Sequence, residues 1–127
     1  MADVNQGNRP LSPHLQVYKW PLNMAMSILH RITGAGLSVT GVLVTWWFLA
    51  LAISPEYFET ANAVMTSWFG DLVLFLSLIA IWFHYVNGIR HLVWDTGSSF
   101  GKKRVRQSGV IGLIAAAILV VVTIVVA

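Results

Sequence analysis

The second apolar stretch of the chain is interrupted at helical spacing. His84, Gly88, His91 and Asp95 stand three or four residues apart. On an α-helix they share one stripe with Ser77 and Ala80, while the other faces carry Leu, Ile, Trp and Phe. A stripe that is small and polar should face protein or a bound group rather than acyl chains. Three kinds of chemistry suit an imidazole placed there. A neutral ring can hydrogen-bond a neighbouring helix. It can serve a proton relay or ion site. It can also ligate haem iron, for which imidazole is a common axial ligand. Gly88, one turn from His84, would let a flat group bonded to the ring lie close to the backbone.

Taking Arg90 as the membrane boundary puts His84 roughly 9 Å inside it, at about 1.5 Å rise per residue. The other histidines are His14, His30 and His91. None is expected at the depth of His84 on an opposing helix. A haem held by two histidines would then take its second ligand from another chain. A partner subunit is implied, because a single copy would leave a polar stripe unsatisfied in lipid.

A second cluster opens the first apolar stretch. In "SILHRITG" (27–34) and the residues after it, Ser27, His30, Arg31, Gly34, Ser38 and Gly41 follow helical spacing on one face. Gly34 and Ser38 form a small-x-x-x-small pair suited to close helix packing. Two readings stand side by side. In one, Arg31 snorkels to the headgroups and Ser27 bonds its own helix backbone. In the other, Arg31 and His30 bind anionic groups such as haem propionates, and Ser27 donates a hydrogen bond to a ligand carbonyl.

These residues need elements to carry them, and composition says which. The 127 residues suffice for one domain. Hydrophobic residues make up 57% and charged ones 10%, against about a quarter charged in soluble domains. Three apolar runs, 32–53, 72–89 and 110–127, reach roughly 27 to 33 Å as helices, close to a hydrocarbon core of about 30 Å. The chain therefore reads as an all-α membrane protein with three transmembrane helices, spanning about 29–53, 70–91 and 108–127. Residues 1–20 read as an irregular arm and 21–127 as the membrane domain, with Pro21 in the first turn of its first helix. Residues 56–67 read as a short interfacial helix and 97–101 as a turn. Gly112 and Ala116 give the third helix a packing face.

All eight Lys and Arg fall on one side of this arrangement: Arg9, Lys19 and Arg31 before the first span, and Arg90, Lys102, Lys103, Arg104 and Arg106 between the second and third. The loop 54–71 carries Glu56 and Glu59 and no positive charge. Under the positive-inside rule the N-terminus is cytoplasmic and the C-terminus lies across the membrane. The basic run 102–106 reads as an anchor on anionic lipid. The high pI is thus a matter of topology, and no folded basic domain for nucleic acid is present. With no cysteine, thiolate metal sites, iron–sulfur ligation and covalent c-type haem attachment within this chain are excluded. The polar, proline-bearing first residues do not read as a signal peptide.

Three segments, "RPLSPHLQVY" (9–18), "SILHRITG" (27–34) and "HYVNGIRHLVWD" (84–95), occur in order and at suitable spacing across nearly the whole chain. Together they resemble the large cytochrome b anchor subunits of succinate dehydrogenase, respiratory complex II, in a bacterial inner membrane. The resemblance implies one half of a heterodimeric anchor bundle, with a smaller anchor as the second half. It implies a flavoprotein that oxidises succinate and an iron–sulfur subunit that passes electrons to the membrane. The two anchors would hold haem b and form the site where ubiquinone is reduced. Residue by residue, His84 matches the axial haem ligand and the smaller anchor supplies the other. Ser27 and Arg31 match the quinone site. His30 and Arg31 match positions near the haem propionates, His91 a supporting position, and Trp20 a position lining the quinone pocket.

Overall fold

The computed structural model describes residues 20–127. The motif at 9–18 and all of the arm except Trp20 lie outside the described residues. Four helices follow: α1 (Leu22–Ile53), α2 (Pro55–Met65), α3 (Trp68–Asp95) and α4 (Lys102–Val126). Of these, α1, α3 and α4 are long and apolar enough to cross a membrane. The described residues contain no strand. The chain is an all-α membrane protein.

The helix boundaries follow from local chemistry. Proline disfavours helical backbone at the residue before it, so Ser54, ahead of Pro55, is extended at φ −164° and ends α1. Ser54 then serves α2 as its cap, accepting the Tyr57 N–H at 3.1 Å, with proline in the first turn and Glu56 at the positive end of the helix dipole. Ser67 caps α3 in the same way through the Gly70 N–H, with Asp71 in the first turn. Beyond Asp95 the chain reverses through Gly97 and Gly101, both at positive φ, where glycine carries no Cβ penalty. Helix α4 opens on the basic run. Lys102, Lys103 and Arg104 sit at the positive end of its dipole, which is unfavourable locally. The helix dipole does not account for their placement.

In the bundle α3 is the middle element, packed on α1 on one side and on α4 on the other, with α2 folded against α1. Apart from Met26 the interior is small or polar: Ala50, Ala61 and Ala116, with Asn87 and Arg90. The large apolar side chains face outward, among them Phe48, Phe75, Leu76, Ile81 and Ile118. That is the arrangement expected when lipid, not water, surrounds the helices and close backbone approach drives packing. Ala116 is buried and Gly112 meets Val86 of α3, as the packing face of the third helix required. At the end of the bundle that carries α2, Trp46 donates to the Tyr57 hydroxyl at 2.7 Å and Trp47 to Asn62 Oδ1 at 3.3 Å.

Polar stitches cross the bundle at membrane depth. The hydroxyls of Thr40 and Ser77 bond at 2.7 Å between α1 and α3. The Trp82 indole N–H donates to the Thr123 hydroxyl at 2.9 Å between α3 and α4. Interhelical hydrogen bonds in membranes average about 0.6 kcal/mol, with 1–2 in model peptides. Thr40→Val, which keeps the shape and removes the bond, is expected to lower stability by about 1 kcal/mol. Denaturant titration of the protein in detergent reads this directly.

Candidate functional site

The stripe on α3 faces α1. Ser77 meets Thr40, His84 meets the backbone of α1 at residues 30–34, and Gly88 lies under the His30 ring. Sequence spacing had grouped the same residues. Asp95 departs from the group: it is exposed near the end of α3.

His84 is gripped on three sides. Its Nδ1 lies 3.1 Å from the His30 carbonyl oxygen and 3.2 Å from the Thr33 hydroxyl. The ring edge presses against Gly34, where an added Cβ would stand 2.9 Å from Cε1. The His30 ring stacks on its face, with centroids 3.8 Å apart and planes 11° from parallel. Gly34 is therefore a glycine of close approach, since even a methyl group would push the imidazole off α1. Among the described residues Nε2 of His84 has no hydrogen-bond partner.

This corrects one expectation. His30 lies at the depth of His84 on the opposing helix. The cause is the depth marker: Arg90 does not stand at the end of its helix. Its side chain is buried, 7% exposed, and α3 runs on to Asp95. Helix α1 begins at Leu22, so His30 is already two turns along it. The two rings lie face to face rather than edge to edge.

His30 and His91 complete a group of three imidazoles, their centroids 5.2 Å apart. His30 Nδ1 is buried and has no partner among the described residues. Asn87, 2% exposed, reaches toward His91 Nε2 at 3.5 Å, the limit of a hydrogen bond. Ser27 is half-buried, Arg31 exposed and Trp20 51% exposed. Among the described residues neither the Ser27 nor the Arg31 side chain makes a hydrogen bond. The structure thus brings His30, His84 and His91 together and leaves Ser27, Arg31 and Trp20 outside that group. Among the described residues the backbone-bonded Ser27 is not found.

Sequence reasoning missed a second cluster one face further round α3. Arg90 donates from Nε to the Ser108 hydroxyl (3.0 Å), from Nη1 to Asn87 Oδ1 (3.0 Å), and from Nη2 to the Val105 carbonyl (2.9 Å) and Asn23 Oδ1 (3.2 Å). Its guanidinium also lies 4.2 Å from the Trp94 ring centroid. One side chain so joins α1, α3 and the start of α4. The signal was present: Asn87, Arg90 and Trp94 follow helical spacing, and an asparagine inside an apolar run needs partners. Taken from the sequence alone, Arg90 reads as a charge at the membrane boundary.

Residues 5–125 match the family model described as the succinate dehydrogenase/fumarate reductase transmembrane subunit. The chain is similar to the succinate dehydrogenase cytochrome b556 subunit of Paracoccus denitrificans, 44% identical over 126 residues, covering 99% of this chain and 97% of that one. It is similar to the subunit of the same name from Rickettsia bellii, 39% identical over 80% of this chain and 78% of that one. The mitochondrial succinate dehydrogenase cytochrome b560 subunit of Sus scrofa is 41% identical, over 84% of this chain and 64% of its own length.

Proposed function

The chain belongs to the succinate dehydrogenase/fumarate reductase transmembrane subunit family, and from that premise we propose that it is a membrane anchor which binds haem b and helps form the site where electrons from succinate reach ubiquinone. A flavoprotein and an iron–sulfur subunit supply the electrons, and a second anchor completes the bundle. Residues 21–127 form the membrane domain, with the arm 1–20 and the basic first turns of α4 on the cytoplasmic side. The C-terminus of α4 lies on the periplasmic side of a bacterial inner membrane.

The observation that carries the reading is the seat of His84. A carbonyl oxygen can only accept, so the Nδ1 that faces the His30 carbonyl is the protonated nitrogen. In a neutral imidazole the lone pair is then on Nε2, the atom left without a partner among the described residues. The ring fits the requirement of an axial ligand: an oriented donor whose other nitrogen is hydrogen-bonded. His30, with an orphaned Nδ1 beside it, and Arg31 would hold the propionates, and His91 supports His30. When bound, haem supplies a one-electron centre. The partner ligand would come from the other anchor, because the His30 ring stacks parallel on His84 and would not oppose it across an iron.

A quinone needs lipid for its tail and donors for its ring, and its reduction takes two electrons and two protons. Ser27 donates to a ring carbonyl, and the Arg31 cation stabilises negative charge developing on the reduced ring. Both stand near the start of α1, at the end of the bundle where the basic residues gather. A soluble electron donor docks on that side, and protons are available there. The relatives named above are succinate dehydrogenase subunits, which favours succinate oxidation over fumarate reduction.

Purification of the complex followed by identification of its subunits tests the assembly. For the quinone site, Ser27→Ala and Arg31→Ala are each expected to lower ubiquinone reduction about tenfold, the worth of one well-placed hydrogen bond. Succinate oxidation with an artificial soluble acceptor should stay unchanged. Equal losses in both assays would assign these residues to assembly instead.

A further inference from the structure

We propose that Thr33 is a positioning residue for His84: with the His30 carbonyl, it holds the imidazole in the tautomer protonated at Nδ1 and so presents Nε2 to iron. The inference deepens the reading of His84 as the haem ligand and rests on it.

The proton count is what assigns the role. The Thr33 hydroxyl has one hydrogen, and it is directed to the His30 carbonyl at 3.0 Å. Its oxygen is therefore free to accept, and Nδ1 of His84 lies 3.2 Å away. Nδ1 thus faces two acceptors, the hydroxyl oxygen and the carbonyl oxygen. The tautomer with its proton on Nε2 would set the Nδ1 lone pair against the carbonyl lone pairs at 3.1 Å and bring its proton to the atom that must be bare. The remaining restraints come from the same turn of α1. Gly34 admits the ring edge, and His30 covers one face. One stretch, "HRITG" (30–34), therefore supplies a carbonyl, a hydroxyl, a missing Cβ and a stacked ring to a single side chain on the next helix.

A hydrogen-bonded N–H on a metal-ligating imidazole makes the ring a better donor. A better donor favours ferric over ferrous iron, so the hydroxyl lowers the potential of the haem. Thr33→Val keeps the branched shape and removes the acceptor; Thr33→Ser keeps the hydroxyl. In the purified complex, Thr33→Val is expected to shift the haem reduction equilibrium about threefold toward ferrous. At 59 mV per tenfold for one electron, that is an upward shift of about 30 mV. The low-spin EPR signal should move with it, and Thr33→Ser should restore both toward wild type. Loss of haem in the valine variant with retention in the serine variant would support the same role. An unchanged potential and EPR signal in a valine variant of normal haem content would overturn it, as would equal damage by valine and serine. A His84→Ala complex with intact low-spin haem would instead remove the ligand assignment underneath, and the proposal with it.

Discussion

Replacing His84 by alanine is expected to abolish the low-spin b-type spectrum of the purified complex. Removing residues that merely support a metal ligand costs roughly 10- to 100-fold in affinity, and loss of the ligand itself should exceed the upper end of that range. Alanine also removes Nδ1, leaving the Thr33 hydroxyl and the His30 carbonyl with one bond fewer. Both retain a role within α1, because Thr33 still donates to that carbonyl. The helix should persist, so the loss is read as haem content and spectrum rather than as absence of the chain. His30→Ala is the informative companion. Its ring stacks parallel on that of His84 and would not oppose it across an iron, so this variant should keep a low-spin spectrum. An unchanged spectrum in the His84 variant would end the assignment.

Arg90→Ala is expected to have the largest effect on stability, about 4 kcal/mol, or roughly a thousandfold in the folding equilibrium. The guanidinium satisfies the side chains of Asn23, Asn87 and Ser108 and the carbonyl of Val105. Each buried acceptor left unpaired costs about 1–3 kcal/mol, although Asn23 and Ser108 can turn to other partners. None of these four partners carries charge, so the effect is loss of hydrogen bonds and packing rather than of an ion pair. Arg90→Lys, which keeps the charge but lacks the fork of donors, should recover only part of the stability. Thermal unfolding of the complex in detergent, followed by helical signal, measures both. A lysine variant equal to wild type would show that charge alone is needed there.

Much of this architecture could be read along the chain. Length of the apolar runs against bilayer thickness predicts three spans. Pro55 after Ser54 predicts the break between α1 and α2, and Gly97 to Gly101 the turn before α4. The α3 stripe of Ser77, His84, Gly88 and His91 was legible because helical periodicity alone groups those positions. Thr33 and Gly34 were visible only as members of a motif, since their work is done for a ring fifty residues away. Arg90 reads as a boundary charge because charge in a sequence does not reveal whether a side chain points to headgroups or into the bundle.

The sequence by itself determined that this is a helical membrane protein, which helices cross, and which faces of them are polar. Those properties are sums and periods along one chain, set by residue type and by the 3.6-residue turn. Only the tertiary structure decided that His30 covers His84, that Nδ1 rather than Nε2 of His84 is the bonded nitrogen, and that Arg90 ties three helices together. Such facts depend on how far one helix slides along its neighbour and how each is rotated about its axis. Those variables come from packing between elements, and no single element contains them.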